Sequence, residues 1–131
     1  MADTSFEQTL QKINREGEFR ASVLASSDGL PVATVPSNYD PEITAAMVAL
    51  LRSVAQQTHD LVGMGQLDEV SLRASDRLRL ICRTLEIDGE PFILAVVVPR
   101  QQRYYRRQTN RAIRQLRETW RGMVKPVDQK G

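Results

Sequence analysis

The chain has one cysteine, one histidine and one tryptophan among 131 residues, and only 5% of it is aromatic. Cys82 has no second thiol, which excludes an internal disulfide and makes a thiolate metal cage implausible. It fits a reducing compartment. His59 has no second imidazole to join, so an ordinary histidine-based metal site cannot be built from one chain. Long apolar runs are also missing. The longest, "FILAVVV" at 92–98, falls far short of the roughly 20 residues that cross a bilayer. The opening "MADTSFEQTL" carries acids and no apolar core, so no secretory signal is expected. These absences point to one soluble cytoplasmic domain over residues 1–122, with 123–131 as a mobile tail.

What the chain does have is a charge asymmetry. Residues 1–99 contain 8 Lys/Arg and 14 Asp/Glu, giving −6; residues 100–131 contain 10 and 2, giving +8. The net +2 hides this separation.

Periodicity supplies the elements. Phe6, Leu10 and Ile13 recur at helical spacing between a capping-box pair, Thr4 and Glu7, and a stop at Gly17. In "EFRASVLASSDGLPVATVPS" residues alternate as in a strand, and Asp28-Gly29 predicts a tight hairpin whose two central residues both tolerate positive φ. Pro31 and Pro36 suit a short strand with an open edge. Asp40 caps a long helix in which Ile43, Met47, Leu50, Val54 and Leu61, widened by Leu51 and Val62, form the expected core stripe. Ala45, Ala49, Arg52, Gln56 and His59 lie on its other face. Three strands follow: "LDEVSLRAS", "DRLRLICRTLEI" and, after an Asp88-Gly89 turn, "PFILAVVVP", whose unbroken apolar run predicts a central strand buried on both sides. A final helix runs from about 102 to 122. The order α-β-β-α-β-β-β-α predicts an α+β fold, a five-stranded antiparallel sheet sandwiched by helices.

No catalytic constellation appears. Cys82 sits in an apolar strand, where burial rather than nucleophilic use is expected. The glycines of "VGMGQL" lack the lysine of a phosphate-cradling loop and read as a helix end. Asp68 and Glu69 are adjacent in a strand, so their side chains should diverge and not act as a pair. No cofactor, metal or small-molecule substrate is expected. In the last helix Tyr105, Ala112, Ile113, Leu116, Trp120 and Met123 form the apolar side. Arg103, Arg106, Arg107, Arg111, Arg114, Arg117 and Arg121 gather on the other, interrupted by Glu118. This basic stripe is a solvated face, a docking surface for an acidic partner or anionic membrane, or a nucleic-acid contact.

The order of elements, the segment "ASVLASSDGLPVAT", the helix "DPEITAAMVALLRSVAQQT" and the strand run ending "FILAVVVP" resemble the Roadblock (dynein light chain Roadblock-type) family, bacterial MglB-like members included. The resemblance covers about residues 5–121 and implies a Roadblock/profilin-like fold. It also implies a dimer in which the second helix packs on its mate and the third strand pairs across the two-fold. The interface would then fall on Ala45, Ala49, Arg52 and Gln56 of the helix and Glu69, Ser71 and Arg73 of the strand. The implied function is a non-catalytic regulator or scaffold of a small Ras-like GTPase, or a structural dimer in a larger assembly. The alternative from composition is a basic module that binds nucleic acid or anionic lipid through the last helix. An arginine finger from that helix is the tempting mechanism, but many arginines on one stripe read as a field.

Overall fold

The computed structural model describes residues 5–36, 41–65 and 68–124. The expected caps Thr4 and Asp40, the side chain of Ala45 and the tail beyond Val124 lie outside them. In chain order the elements are α1 (Ser5–Gly17), β1 (Ala21–Ser26), β2 (Pro31–Val35), α2 (Pro41–Val62), β3 (Glu69–Arg73), β4 (Arg79–Ile87), β5 (Glu90–Val98) and α3 (Tyr105–Val124). The five strands form one antiparallel sheet in the order β2-β1-β5-β4-β3. The predicted fold class is the observed one.

Strand β5 occupies the centre because nearly every side chain in "FILAVVV" must leave water. Leu94, Val96 and Val98 join Leu24, Ile81, Leu85 and Ile87 under α1 and α3, while Ile93 and Ala95 join Val23, Ala25 and Cys82 under α2. Helices α1 and α3 supply Phe6, Leu10, Ile13, Ala112, Ile113 and Leu116 to the larger core. Trp120 stacks on Phe6 at 6.4 Å, as its place on the apolar stripe suggested. The last helix begins at Tyr105, not 102, and continues past 122. Gln102 stays in the preceding loop, where its amide bonds the Gly17 carbonyl and accepts the Tyr104 N–H.

Helix α2 overturns one expectation. Leu50, Val54 and Leu61 are 66%, 50% and 82% exposed, whereas Val48 and Ala55 are buried against the sheet with Leu51 half-buried beside them. The helix carries two apolar stripes about a third of a turn apart. The stripe of Val48, Leu51 and Ala55 meets the sheet, packing with Val23, Ala25, Cys82, Ile93 and Ala95 of the strands. The bulkier stripe is left outside.

The two Asp-Gly turns also differ. Asp88 and Gly89 both have positive φ (55° and 82°) and close the β4–β5 hairpin in two residues, as the favoured turn type requires. At the first turn only Gly29 is positive (φ 90°). The loop spans residues 27–30, Gly29 N–H donates to Ser26 O at 3.0 Å, and the β1–β2 register slips between Leu24 and Ala25. Pro31 opens β2 in this slipped register, so it sits on an outer strand and interrupts no central ladder.

Gly17 ends α1 for a reason other than φ. The left-handed residue is Glu18 (φ 57°), and Phe19 N–H reaches back to Asn14 O at 3.1 Å, the closing bond of a Schellman-type end. A Cβ on Gly17 would stand 2.4 Å from the ring of buried Phe19. Gly17→Ala should therefore cost about 1–3 kcal/mol through overpacking. Gly122→Ala, where an added Cβ meets nothing within 4 Å, should be neutral or stabilising by under about 1 kcal/mol. Urea unfolding midpoints of the two variants check this pair.

Candidate functional site: the α2 flank, the β3 edge and the arginines of α3

Both edges of the sheet are single strands, and they are not alike. Outer strand β2 begins at Pro31 and is followed by Pro36, each lacking an N–H donor. Outer strand β3 has no proline. It pairs with β4 from Glu69↔Arg83 to Arg73↔Arg79 and leaves its other side open. Ser71, Leu72 and Arg73 are exposed there.

The strand is fastened from behind. Arg106, in the first turn of α3, bonds Glu69 Oε1 at 2.7 Å through Nη1 and Asp68 Oδ2 through Nη2. Tyr105 Oη donates to Glu69 Oε2 at 2.9 Å. Buried Arg83 lies beneath, donating to Thr109 Oγ1 at 2.7 Å and facing Asp68 Oδ1 at 3.5 Å. Arg79 stacks over Tyr105 at 5.3 Å. Asp68 and Glu69 thus act together on one guanidinium. The expectation that they diverge fails because Asp68 precedes the strand and escapes its alternation. Arg106, with Arg83 beside it, holds the Asp68 carboxyl below the ordinary 3.8, while the hydrogen bond that Tyr105 donates to the Glu69 carboxylate holds the phenol above its usual range.

Of the seven arginines expected on one basic stripe, two are thereby taken into structure. Arg106 ties down β3, and half-buried Arg117 donates through Nε to Glu86 O at 3.0 Å. Arg103 precedes the helix. Arg107, Arg111, Arg114 and Arg121 are exposed on α3, with Arg107 lying over the Tyr104 ring at 5.6 Å.

Of the interface residues expected on α2, the described ones differ in exposure, Arg52 and Gln56 being exposed. Ala49 is half-buried, Gln56 donates to Asp60 at 3.2 Å, and Arg52 and Gln56 line an open cleft of about 580 Å³ together with His59, Glu86 and Arg117. Among the β3 residues expected there, Glu69 turns to α3 while Ser71 and Arg73 remain exposed. The surface the sequence reading missed is Leu50, Val54 and Leu61. Their spacing was visible, but periodicity cannot say which of two apolar stripes meets the sheet.

The Cys82 thiol is buried and pushed up to about 11 by desolvation, so it is not a nucleophile at neutral pH. Among the described residues no group of three or more His, Cys, Asp or Glu is placed to hold a metal, and no helix is long and apolar enough to cross a membrane.

An open-edged five-stranded sheet with one helix on one face and two on the other defines a small α+β domain of Roadblock type. The Roadblock/LC7 domain profile matches residues 5–97, and the chain belongs to that family. The match stops before α3. The uncharacterized protein MJ0714 of Methanocaldococcus jannaschii is 26% identical over 98 residues, 74% of this chain and 79% of that protein. Among solved structures, Myxococcus xanthus MglB superposes with a TM-score of 0.75 at 12% identity, over 93% of this chain and 99% of that one. A Roadblock/LC7 domain from Streptomyces avermitilis superposes at 0.71 with 18% identity, over 94% and 98%.

The Asp68 link carries a pH signature. A carboxylate whose folded pKa is lowered stabilises above its unfolded value, and the gain disappears as pH falls through the folded one. At neutral pH Asp68→Asn should lower stability by no more than about 1 kcal/mol, since the pair is half-exposed. Thermal melts from pH 7 to pH 3 should show the gap between variant and wild type closing below about pH 4.

Proposed function

We propose that the chain is a homodimeric, non-catalytic regulator or scaffold of a small Ras-like GTPase, modulating its nucleotide cycle in the cytoplasm. The observation that carries this reading is the exposed apolar flank of α2, Leu50, Val54 and Leu61, in the same chain as an open β3 edge. Each such side chain is worth about 1.5–3 kcal/mol when fully removed from water, so a solvated flank of three is costly. A twin subunit related by a two-fold covers both features at once. β3 pairs antiparallel with its copy through the open side that includes Ser71 and Arg73, and the two α2 flanks meet on one face of the joined sheet. The interface on α2 is therefore centred on Leu50 and Val54, displaced from Arg52 and Gln56.

Family membership supports the GTPase as partner. In this reading the chemistry of hydrolysis stays with that partner, and the one thiol of this chain is buried. The joined α2 surface acts by positioning the GTPase's own groups. Arginine as a finger fits poorly. Arg106 and Arg117, the α3 arginines that reach the α2 side, are held by Asp68, Glu69 and the Glu86 carbonyl. Arg107, Arg111, Arg114 and Arg121 are on the outer side of α3.

Light scattering should give twice the chain mass for the wild type. Leu50→Asp with Val54→Asp should give a folded monomer. Phosphate release by small GTPases encoded beside this gene should change several-fold with the wild type and not with the monomeric variant. A wild type that is monomeric at tens of micromolar, or that leaves every such GTPase unbound and unchanged, removes the proposal.

A further inference from the structure

Helices α1 and α3 form a layer whose outer side is cationic. They run antiparallel on one face of the sheet, joined by Thr9 Oγ1 and Thr119 Oγ1 at 2.6 Å, by Gln115 Nε2 donating to Glu16 Oε1 at 3.3 Å, and by the Phe6–Trp120 stack. Their inward sides are spent on the core. Lys12 and Arg15 of α1 and Arg107, Arg111, Arg114 and Arg121 of α3 are all exposed on the far side. None of the six has a carboxylate within salt-bridge distance among the described residues. Two acids, Glu16 and Glu118, share this side. With 20 residues in α3 and 13 in α1, the layer is about 30 Å long at its widest.

We propose that this face docks on an anionic lipid bilayer surface. The cations are spread over two neighbouring helices of one layer, which suits a broad sheet of headgroups better than the track of a single strand. Among the described residues nothing on the face offers a free stacking platform for bases: Tyr104 is exposed, and Arg107 already covers its ring. Exposed amides, Gln8 and Asn110, stand among the cations, side chains suited to hydrogen-bonding phosphates and glycerols without inserting. Tyr104 and Met123, both exposed, stand at opposite ends of α3 where side chains of mixed polarity reach the interfacial zone. Attraction of this kind is coulombic and screened within about 8 Å at physiological salt, so it is reversible and salt-sensitive. The face is complete in one chain and does not depend on the dimer or the GTPase.

Co-sedimentation with vesicles tests it. Wild type should bind vesicles of phosphatidylglycerol and phosphatidylcholine at low salt, lose at least tenfold in affinity at 0.5 M NaCl, and ignore pure phosphatidylcholine. Arg107→Glu with Arg111→Glu and Arg114→Glu should weaken binding at least tenfold. Arg20→Glu with Arg77→Glu and Arg100→Glu, the same charge change at exposed positions off the layer, should weaken it less than threefold. Circular dichroism establishes that each variant is folded, and Lys12→Glu with Arg15→Glu on α1 carries the test if the α3 triple variant is not. Equal loss in the ridge and control variants, equal binding to neutral vesicles, or a single-stranded oligonucleotide that binds more tightly than the anionic vesicles and displaces them, each overturns the proposal.

Discussion

One strand has to be dry on both sides, and the architecture follows from that. The side chains of β5 alternate between two cores, so neither face of the sheet can be left to water. Two helices cover one face and a single long one crosses the other. Three helices are enough to seal the faces but not the rims. The prolines of β2 blunt one rim, and the other, β3, stays available. An interaction surface is thus a by-product of how the core is closed.

Much of this was legible. Element order, the central place of β5, the two-residue turn at Asp88-Gly89, the burial of Cys82 and the packing of half-buried Trp120 on the core rest on local signals that tertiary context did not override. The failures share a cause. Helical periodicity marks α2 as apolar but is silent on which apolar stripe is the inner one, which depends on packing with strand residues far away in sequence. The Asp28 turn was misjudged because a slipped register admits a longer loop that needs positive φ only at Gly29. Asp68 was placed by strand alternation one residue before the strand begins. Arginines that look equivalent on α3 separate into fastened and free only when their neighbours from β3 and β4 are known.

The two sides of the sheet differ in the surface they present. The α2 side presents apolar residues beside an open edge, and the α1–α3 side presents unpaired cations. The family profile ends before α3, the helix that carries most of those cations, while α1 on the same face lies within it.

The guanidinium of Arg106 has a mechanical corollary. Outermost strands normally fray first, opening on their own timescale without help from the rest of the sheet. Here β3 is riveted through its first residue and the residue before it to the opening turn of a helix on the sheet's back. Its breathing is therefore geared to that helix, and slow amide hydrogen exchange along β3 would register any disturbance of α3, however far from the rim it was applied.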